Sequence, residues 1–255
     1  PILAIPTTAG TGSEVTRNAV LASPAHKVKA SLRNVTMIPR VAIVDPELTY
    51  GVPPAVTASS GLDALTQLIE PFTCSRTNPL VDGFCRDGIA RVARSLRRAW
   101  ANGRDASARE DMALASLYGG LSLANAGLGV VHGFAGVVGG AFSAPHGAVC
   151  AALLPHAMAV NRAALLVRDP NSPILARYDE IARLLTGRTD AVAENGVEWV
   201  QELTLALGVP ALTAHGVSRA DIPTLVEKTM VASGTKTNPI QLTRVELAEI
   251  LEGAL

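Results

Sequence analysis

The stretch from residue 130 to residue 161 reads VVHGFAGVVGGAFSAPHGAVCAALLPHAMAVN and contains no Asp, Glu, Lys or Arg. It belongs to a longer uncharged block, residues 112–161, in which Gly, Ala and Ser outnumber the large aliphatic residues. Small residues let helix backbones approach closely, so the block predicts a pair of helices buried on most sides within a helical domain. Asn125, His132 and Pro155 interrupt it. Because polar groups are costly in lipid, we do not expect the block to span a membrane.

The composition favours a globular protein that binds a small, roughly neutral partner. Of 255 residues, 48% are hydrophobic, and 22 basic side chains balance 22 acidic ones, so no net field attracts nucleic acid or an anionic membrane. Cys74, Cys85 and Cys150 are widely spaced and form no CxxC pair, which argues against a disulfide framework and a cysteine zinc site. No basic region followed by an apolar stretch opens the sequence. These features together predict a cytoplasmic protein.

Two parts of the chain differ in their pattern. Residues 2–5, 16–22, 27–32 and 41–44 are short β-rich runs bounded by Pro, Asn and Asp. From Pro53 onward the pattern is helical and predicts about eight to ten helices. Four short strands are too few to cover their own apolar faces. The predicted fold is therefore mainly α, with an all-helical domain at residues 53–255 preceded by the last short strands of an α/β domain at residues 1–52.

Capping residues predict several helix ends. The capping residue Asn78 followed by Pro79 predicts the start of a helix, and Asn102-Gly103 predicts its end. Ser172-Pro173 has the same pattern of a capping residue before proline and predicts another helix start. Ser107 with Glu110, and Thr243 with Glu246, have the spacing of a capping box. The cluster Arg91, Arg94, Arg97 and Arg98 recurs at helical spacing opposite an apolar stripe, which favours a solvated face over an anion site.

Candidate metal ligands come from two separate segments. In GLDALTQLIEPF, residues 61–72, helical spacing places Asp63, Gln67 and Glu70 on one face. His132 and His146 lie in the uncharged block, where an imidazole needs buried partners. Imidazoles with one carboxylate bind a divalent transition metal, which can act as a Lewis acid on an alcohol or carbonyl oxygen. The alternative is two separately satisfied core histidines and a first-turn carboxylate.

The segment PTTAGTGSEVT, residues 6–16, combines threonine hydroxyls with backbone amides near glycines. Such a loop suits a ribose, an amide or a phosphate, although the bare pattern is unspecific. The sequence holds no Gly-x-Ser-x-Gly elbow, no Walker phosphate loop and no Gly-x-Gly-x-x-Gly after a strand.

Together, the segments 6–16, 61–72 and 130–161 resemble the iron-containing, or group III, alcohol dehydrogenase family, within the dehydroquinate synthase-like fold. The resemblance covers essentially the whole chain. It implies an N-terminal dinucleotide-binding domain, a C-terminal helical metal domain and an active site in the cleft between them. It also implies NAD or NADP as cofactor, Fe2+ or Zn2+ as metal, and a possible homodimer. The strands and helices that carry the family's pyrophosphate loop precede the threonine-rich loop, so we expect this chain to be the C-terminal two thirds of such an enzyme.

The resemblance also assigns residues. It implies that residues near the nicotinamide-ribose end of the cofactor are Thr7, Thr8, Thr11, Asn18 and Lys29. Asp63, His132 and His146 match three of the family's four metal ligands, and the two histidines are the implied catalytic residues. Gln67 stands where the fourth ligand is usually histidine, and its amide oxygen is a harder, weaker donor. Glycerol dehydrogenases hold zinc with an Asp-His-His set, so a three-ligand site stays open. Gly136 is a second departure, at a position where many members have another histidine.

Three functional hypotheses follow. The first is a metal-assisted, nicotinamide-dependent alcohol dehydrogenase or aldehyde reductase acting on a small substrate. The second is a metal-independent keto-acid reductase of the maleylacetate type, on the same fold. The third is a catalytically silent helical scaffold that lacks the pyrophosphate-binding half.

Overall fold

The computed structural model describes residues 1–23, 26 and 28–255, without the side chains of residues 22 and 28–30. Its strands lie near the N-terminus and form two separate pairs. Strand β1 (Leu3–Ala4) pairs in parallel with β4 (Val41–Ala42), and β2 (Asn18–Ser23) pairs antiparallel with β3 (Val28–Arg33). The four predicted strands are therefore confirmed within the described residues. The Lys29 side chain, an expected cofactor contact, lies outside them.

The rest of the chain is helical, as predicted. The described residues form nine α-helices and no strand after Ala42. The helices are α1 (Pro54–Thr73), α2 (Pro79–Ala101), α3 (Ala106–Asn125), α4 (Val130–Ala141), α5 (His146–Arg168), α6 (Ile174–Thr186), α7 (Ala193–Ala206), α8 (Ile222–Met230) and α9 (Arg244–Gly253). The change of structure falls close to the predicted boundary, although the division into two domains at residues 52 and 53 stays a prediction.

Some predicted caps are confirmed and others are wrong. The Asn78 side chain accepts a hydrogen bond from the Val81 amide at 3.2 Å, and Thr243 and Glu246 form the predicted capping box. Ser107 does not start a helix. Instead, Asp105 accepts from the Ala108 amide at 3.1 Å, because its carboxylate lies two residues earlier and reaches the first-turn amides. Likewise, α6 begins after Pro173 rather than at it, with no side-chain cap.

The uncharged block forms parts of three helices rather than the expected pair. It contains most of α3, all of α4 and most of α5, separated by loops at residues 126–129 and 142–145. By length and composition α5 could cross a membrane, but 72% of its most apolar window is buried inside the protein. Helices α3 and α4 also pass that test as a pair, but they meet at a bend of 99°. Burial of this kind is typical of a core helix.

Helix α1 lies at the centre of the bundle, against α2, α3 and α5. Its apolar stripe is buried, and so are its polar residues from Asp63 to Thr73. The threonine-rich loop packs onto the same group of helices. Gly12 has φ +56° and lies against the backbone of Gly120 in α3, where a side chain would collide with it. The loop at residues 6–16 is therefore fixed next to the polar face of α1.

The arginine cluster on α2 is neither a purely solvated face nor an open anion site. Arg91 and Arg94 bind Asp111 of α3, each with a contact of 2.7 Å, and Arg98 binds Asp105 at 2.8 Å. Three of the four arginines thus link α2 to α3. The expected solvated face is correct only in part, because these guanidinium groups have specific carboxylate partners.

Candidate metal centre

Helix α1 presents three polar side chains along one buried face. Asp63, Gln67 and Glu70 recur at four- and three-residue intervals, and all three are buried. Asp63 is only 2% exposed. A carboxylate so far from water requires a partner or a cation, because burial of an isolated charge is very unfavourable.

Glu70 links α1 to the start of α4. Its Oε1 accepts the Val131 amide at 2.7 Å, and its Oε2 accepts from His132 Nδ1 at 2.6 Å. The neighbouring Val130 amide donates to Asn238 at 3.0 Å. These bonds satisfy first-turn amides of α4 that have no partner within the helix. Because Nδ1 of His132 donates to Glu70, its Nε2 is directed toward Asp63.

Helix α5 brings its first residues against α1. A side chain on Gly147 would collide with the backbone oxygen of Ser59, so glycine allows the two helices to approach closely here. The approach places His146 beside Asp63. It also places Cys150, one turn further along α5, with its Sγ 3.7 Å from His146 Nε2.

Four ligand atoms meet at this point. Asp63 Oδ1 lies 3.5 Å from His132 Nε2 and 3.6 Å from His146 Nε2. One atom each of Asp63, His132, His146 and Cys150 lies within 4.8 Å of all the others. The His146 side chain is 40% exposed and that of His132 only 8%, so the cluster opens to solvent on the His146 side. A substrate would reach it from there.

Several buried atoms in this region have no hydrogen-bond partner. Among the described residues they include Asp63 Oδ1, Gln67 Oε1 and His132 Nε2. Buried polar atoms are almost always hydrogen-bonded, so three such atoms on neighbouring side chains require an explanation. All three can coordinate a cation through a lone pair, once His132 Nε2 is deprotonated. The residues therefore fit a divalent metal.

The charges at the centre are strongly coupled. Burial acts to raise the pKa of the Asp63 carboxyl, but the imidazoles of His132 and His146 outweigh burial and lower it. Burial acts to lower the pKa of His132, but the Glu70 and Asp63 carboxylates outweigh burial and raise it to about 10. A metal must displace the proton on Nε2, so metal binding strengthens as pH rises.

The predicted cofactor residues lie on a neighbouring loop and strand. Thr7, Thr8 and Thr11 are exposed, and Asn18 is half-buried at the start of β2. The loop is tied to α1, because Gln67 Nε2 donates to the Gly10 carbonyl at 3.3 Å. Their contact with a cofactor stays a prediction.

The structure brings Asp63, His132 and His146 together, while their role as ligands stays a prediction. Sequence reasoning placed Glu70 on the correct face but assigned it no role. It missed Cys150, although spacing of four residues from His146 puts both on one face of α5. It also missed Asn238, whose helix partners Val130 and Asn161 lie more than 70 residues away along the chain, beyond the reach of local pattern.

Comparison with known proteins gives concordant results. The model of the Fe-containing alcohol dehydrogenase family, C-terminal, matches residues 57–255, and that of iron-containing alcohol dehydrogenase matches residues 1–46. Alcohol dehydrogenase 4 of Schizosaccharomyces pombe is 37% identical across the whole chain, which spans 59% of that relative's length. The NAD-dependent methanol dehydrogenase of Bacillus methanolicus is 35% identical across the whole chain, which spans 66% of its length.

A solved structure agrees with these relatives. The crystal structure of a 1,3-propanediol oxidoreductase superposes with a TM-score of 0.91 at 36% identity, over all of this chain and 66% of the other. The family match covers both the threonine-rich loop and the helices that carry the four-residue cluster. This chain belongs to the iron-containing alcohol dehydrogenase family.

Proposed function

We propose that this chain carries the metal centre of an NAD-dependent alcohol dehydrogenase, which transfers hydride between a nicotinamide ring and a small alcohol or aldehyde. The observation that carries the proposal is the pair of buried, unpartnered atoms Asp63 Oδ1 and His132 Nε2 within the cluster. A family fold alone does not fix an activity, so the site must support it.

Asp63, His132 and His146 would hold a divalent ion, either Fe2+ or Zn2+, with Gln67 as an additional oxygen donor. When bound, the ion supplies Lewis-acid polarisation of a substrate oxygen. Glu70 holds His132 in one orientation and one tautomer through its 2.6 Å contact with Nδ1. His146, at the exposed side, contacts the incoming substrate.

The residue 6–16 loop supplies the nicotinamide side of the site. Thr7, Thr8 and Thr11 offer exposed hydroxyls, and Asn18 and Lys29 complete the proposed set. The Gln67–Gly10 hydrogen bond connects this loop directly to the helix that carries Asp63. In this proposal residues 1–52 belong to the cofactor domain and residues 53–255 form the metal domain.

The relatives support the substrate class. Their names include a methanol dehydrogenase and a 1,3-propanediol dehydrogenase, both of which act on short primary alcohols. The first of these is described as NAD-dependent, which favours NAD over NADP as the cofactor. We therefore propose short primary alcohols, oxidised to aldehydes, as the substrates.

The test is NADH formation by the metal-loaded chain with NAD+ and a short primary alcohol such as 1-propanol or 1,3-propanediol. The expected result is turnover that Asp63→Asn abolishes and that a chelator removes. Turnover of a keto acid with NADH that survives the chelator would instead establish the metal-independent reductase. A folded, metal-loaded chain without either activity would establish the silent scaffold.

A further inference from the structure

We propose that Cys150 is a metal ligand, so that the site consists of Asp63, His132, His146 and Cys150 and takes zinc in preference to iron. The inference rests on the proposed metal centre and specifies its fourth ligand. It also explains how this chain manages without a histidine at position 67.

Three of the distances between ligand atoms are close to those around one tetrahedral ion, which can expand to five ligands when a substrate oxygen binds. Zinc bonds of about 2.0–2.1 Å to nitrogen or oxygen and about 2.3 Å to sulfur require ligand atoms about 3.3 Å apart for N/O pairs and about 3.6 Å for S/N pairs. The observed separations are 3.5 and 3.6 Å from Asp63 Oδ1 to the two imidazoles, and 3.7 Å from Cys150 Sγ to His146 Nε2. The other three pairs of these atoms lie within 4.8 Å, so binding one ion requires those pairs to contract by at most about 1.5 Å.

The setting of the thiol differs from that of the other cysteines. Cys150 is fully buried, and the groups that approach its sulfur, His146 and Asp63, both belong to the cluster. Cys85 is equally buried but pairs with the Ser122 hydroxyl at 3.4 Å, away from any grouping of ligand atoms among the described residues. It is therefore a matched control.

Charge balance and the softness of the ligand atom also favour the Cys150 sulfur over the Gln67 amide oxygen as the fourth metal ligand. Asp63 and a Cys150 thiolate together neutralise a doubly charged ion, whereas a neutral amide oxygen leaves net charge in a buried site. A site of nitrogen, oxygen and sulfur ligands binds Zn2+ more tightly than Fe2+, and a thiolate is a preferred zinc ligand. On binding, the Cys150 S–H bond breaks, sulfur keeps the electron pair, and the proton passes to solvent.

The test is titration of the metal-free chain with Co2+, followed in the near ultraviolet, where a cobalt–thiolate bond gives a charge-transfer band. We expect the band in the unmodified chain and in Cys85→Ser, and its loss in Cys150→Ser. Competition with a chromophoric chelator should show zinc affinity reduced at least about tenfold in Cys150→Ser. Cys150→Ala serves if the serine variant does not fold.

The outcomes separate this inference from the proposed function. Cobalt bound stoichiometrically without a charge-transfer band would overturn the role of Cys150 and leave the metal centre intact. A band that persists in Cys150→Ser and disappears in Cys85→Ser would also overturn it. A folded chain that binds neither cobalt nor zinc would contradict both.

Discussion

Two buried carboxylates in this protein have opposite surroundings. Asp111 on α3 accepts hydrogen bonds from Arg91, Arg94 and Ser95, at 2.6–2.7 Å. Asp63 on α1 has no arginine or lysine partner among the described residues, and its Oδ1 accepts no hydrogen bond. The first carboxylate is hydrogen-bonded by arginines and a serine, whereas the second faces two imidazoles and a thiol that can themselves bind a metal. The difference separates a carboxylate that holds helices together from one positioned for a ligand.

The largest expected effect is the loss of metal when a proposed ligand next to Asp63 is removed. His146→Ala should lose the metal during purification, because the cluster holds no imidazole beyond those of His132 and His146 that could replace it. The loss of affinity should exceed the roughly 10–100-fold typical of groups that only orient a ligand. Elemental analysis measures it. His156→Ala, a half-buried histidine on the same helix, is the control and should retain full stoichiometry. Full metal content in His146→Ala would show that the ligand set is wrong.

Glu70→Gln should have the next largest effect. The substitution leaves one acceptor oxygen where Glu70 has two, so the Val131 amide and His132 Nδ1 compete for it and the ring loses its fixed tautomer and orientation. We expect metal affinity to fall about 10–100-fold, measured by chelator competition. Glu110→Gln, an exposed carboxylate on α3, should leave affinity unchanged. Equal affinities in the two variants would mean that Glu70 only supports the start of α4.

Asp111→Ala tests whether the Asp111 carboxylate stabilises the fold by holding α2 and α3 together. Loss of this carboxylate leaves Ser95 and the Arg94 guanidinium without their acceptor and leaves Arg91 with Asp87 alone, which should lower the free energy of unfolding by about 1–3 kcal/mol. The metal content should not change. Urea unfolding and elemental analysis on the same sample check both statements. A stable variant that loses metal would reverse the roles of the two carboxylates.

The same substitution gives a pH dependence. Burial acts to raise the pKa of the Asp111 carboxyl, but hydrogen bonds from Arg94, Ser95 and Arg91 outweigh it and lower the pKa below the ordinary value of 3.8. The ionised carboxylate therefore stabilises the fold above that value, and the stabilisation is lost as pH falls through the lowered pKa. The stability difference between the unmodified chain and Asp111→Ala should be constant near neutral pH and shrink in acid. A difference independent of pH would contradict the ion-pair account.

Substitutions of two glycines near the histidines should have smaller effects, and they test whether close helix packing positions the proposed ligands. A side chain at Gly136 meets open space, so Gly136→Ala should stabilise α4 by about 0.5–1 kcal/mol. A side chain at Gly147 collides with Ser59, so Gly147→Ala should destabilise the fold by about 1–3 kcal/mol and loosen metal binding. Thermal unfolding of both variants tests this. Equal effects of the two substitutions would mean that the close approach of α1 and α5 does not position His146.

Local sequence pattern predicted the elements well, because caps and apolar spacing act within one turn. The start at Asn78 and the capping box at Thr243 are examples. The uncharged block was harder. Gly and Ala occur on every face, so periodicity could not locate the breaks that divide the block into three helices.

In the candidate metal site, too, local sequence pattern predicted only what depends on a single helix. Helical spacing placed Asp63, Gln67 and Glu70 on one face, since these positions depend only on α1. The meeting of Asp63 with His132 and His146 depends on tertiary packing, including the close approach at Gly147. Residue chemistry suggested a shared metal but left two separately satisfied core histidines as an alternative, and the family resemblance then matched all three residues to ligands. Cys150 was missed because it belongs to no cysteine pair, and its partners come from two different helices.

The most direct test of the account compares the metal content of the unmodified chain, Asp63→Asn and Asp111→Asn, each purified without added metal or chelator. We expect close to one metal ion per chain in the unmodified protein and in Asp111→Asn, and none in Asp63→Asn. Metal retained by Asp63→Asn, or an unmodified folded chain that refuses both iron and zinc, would contradict it.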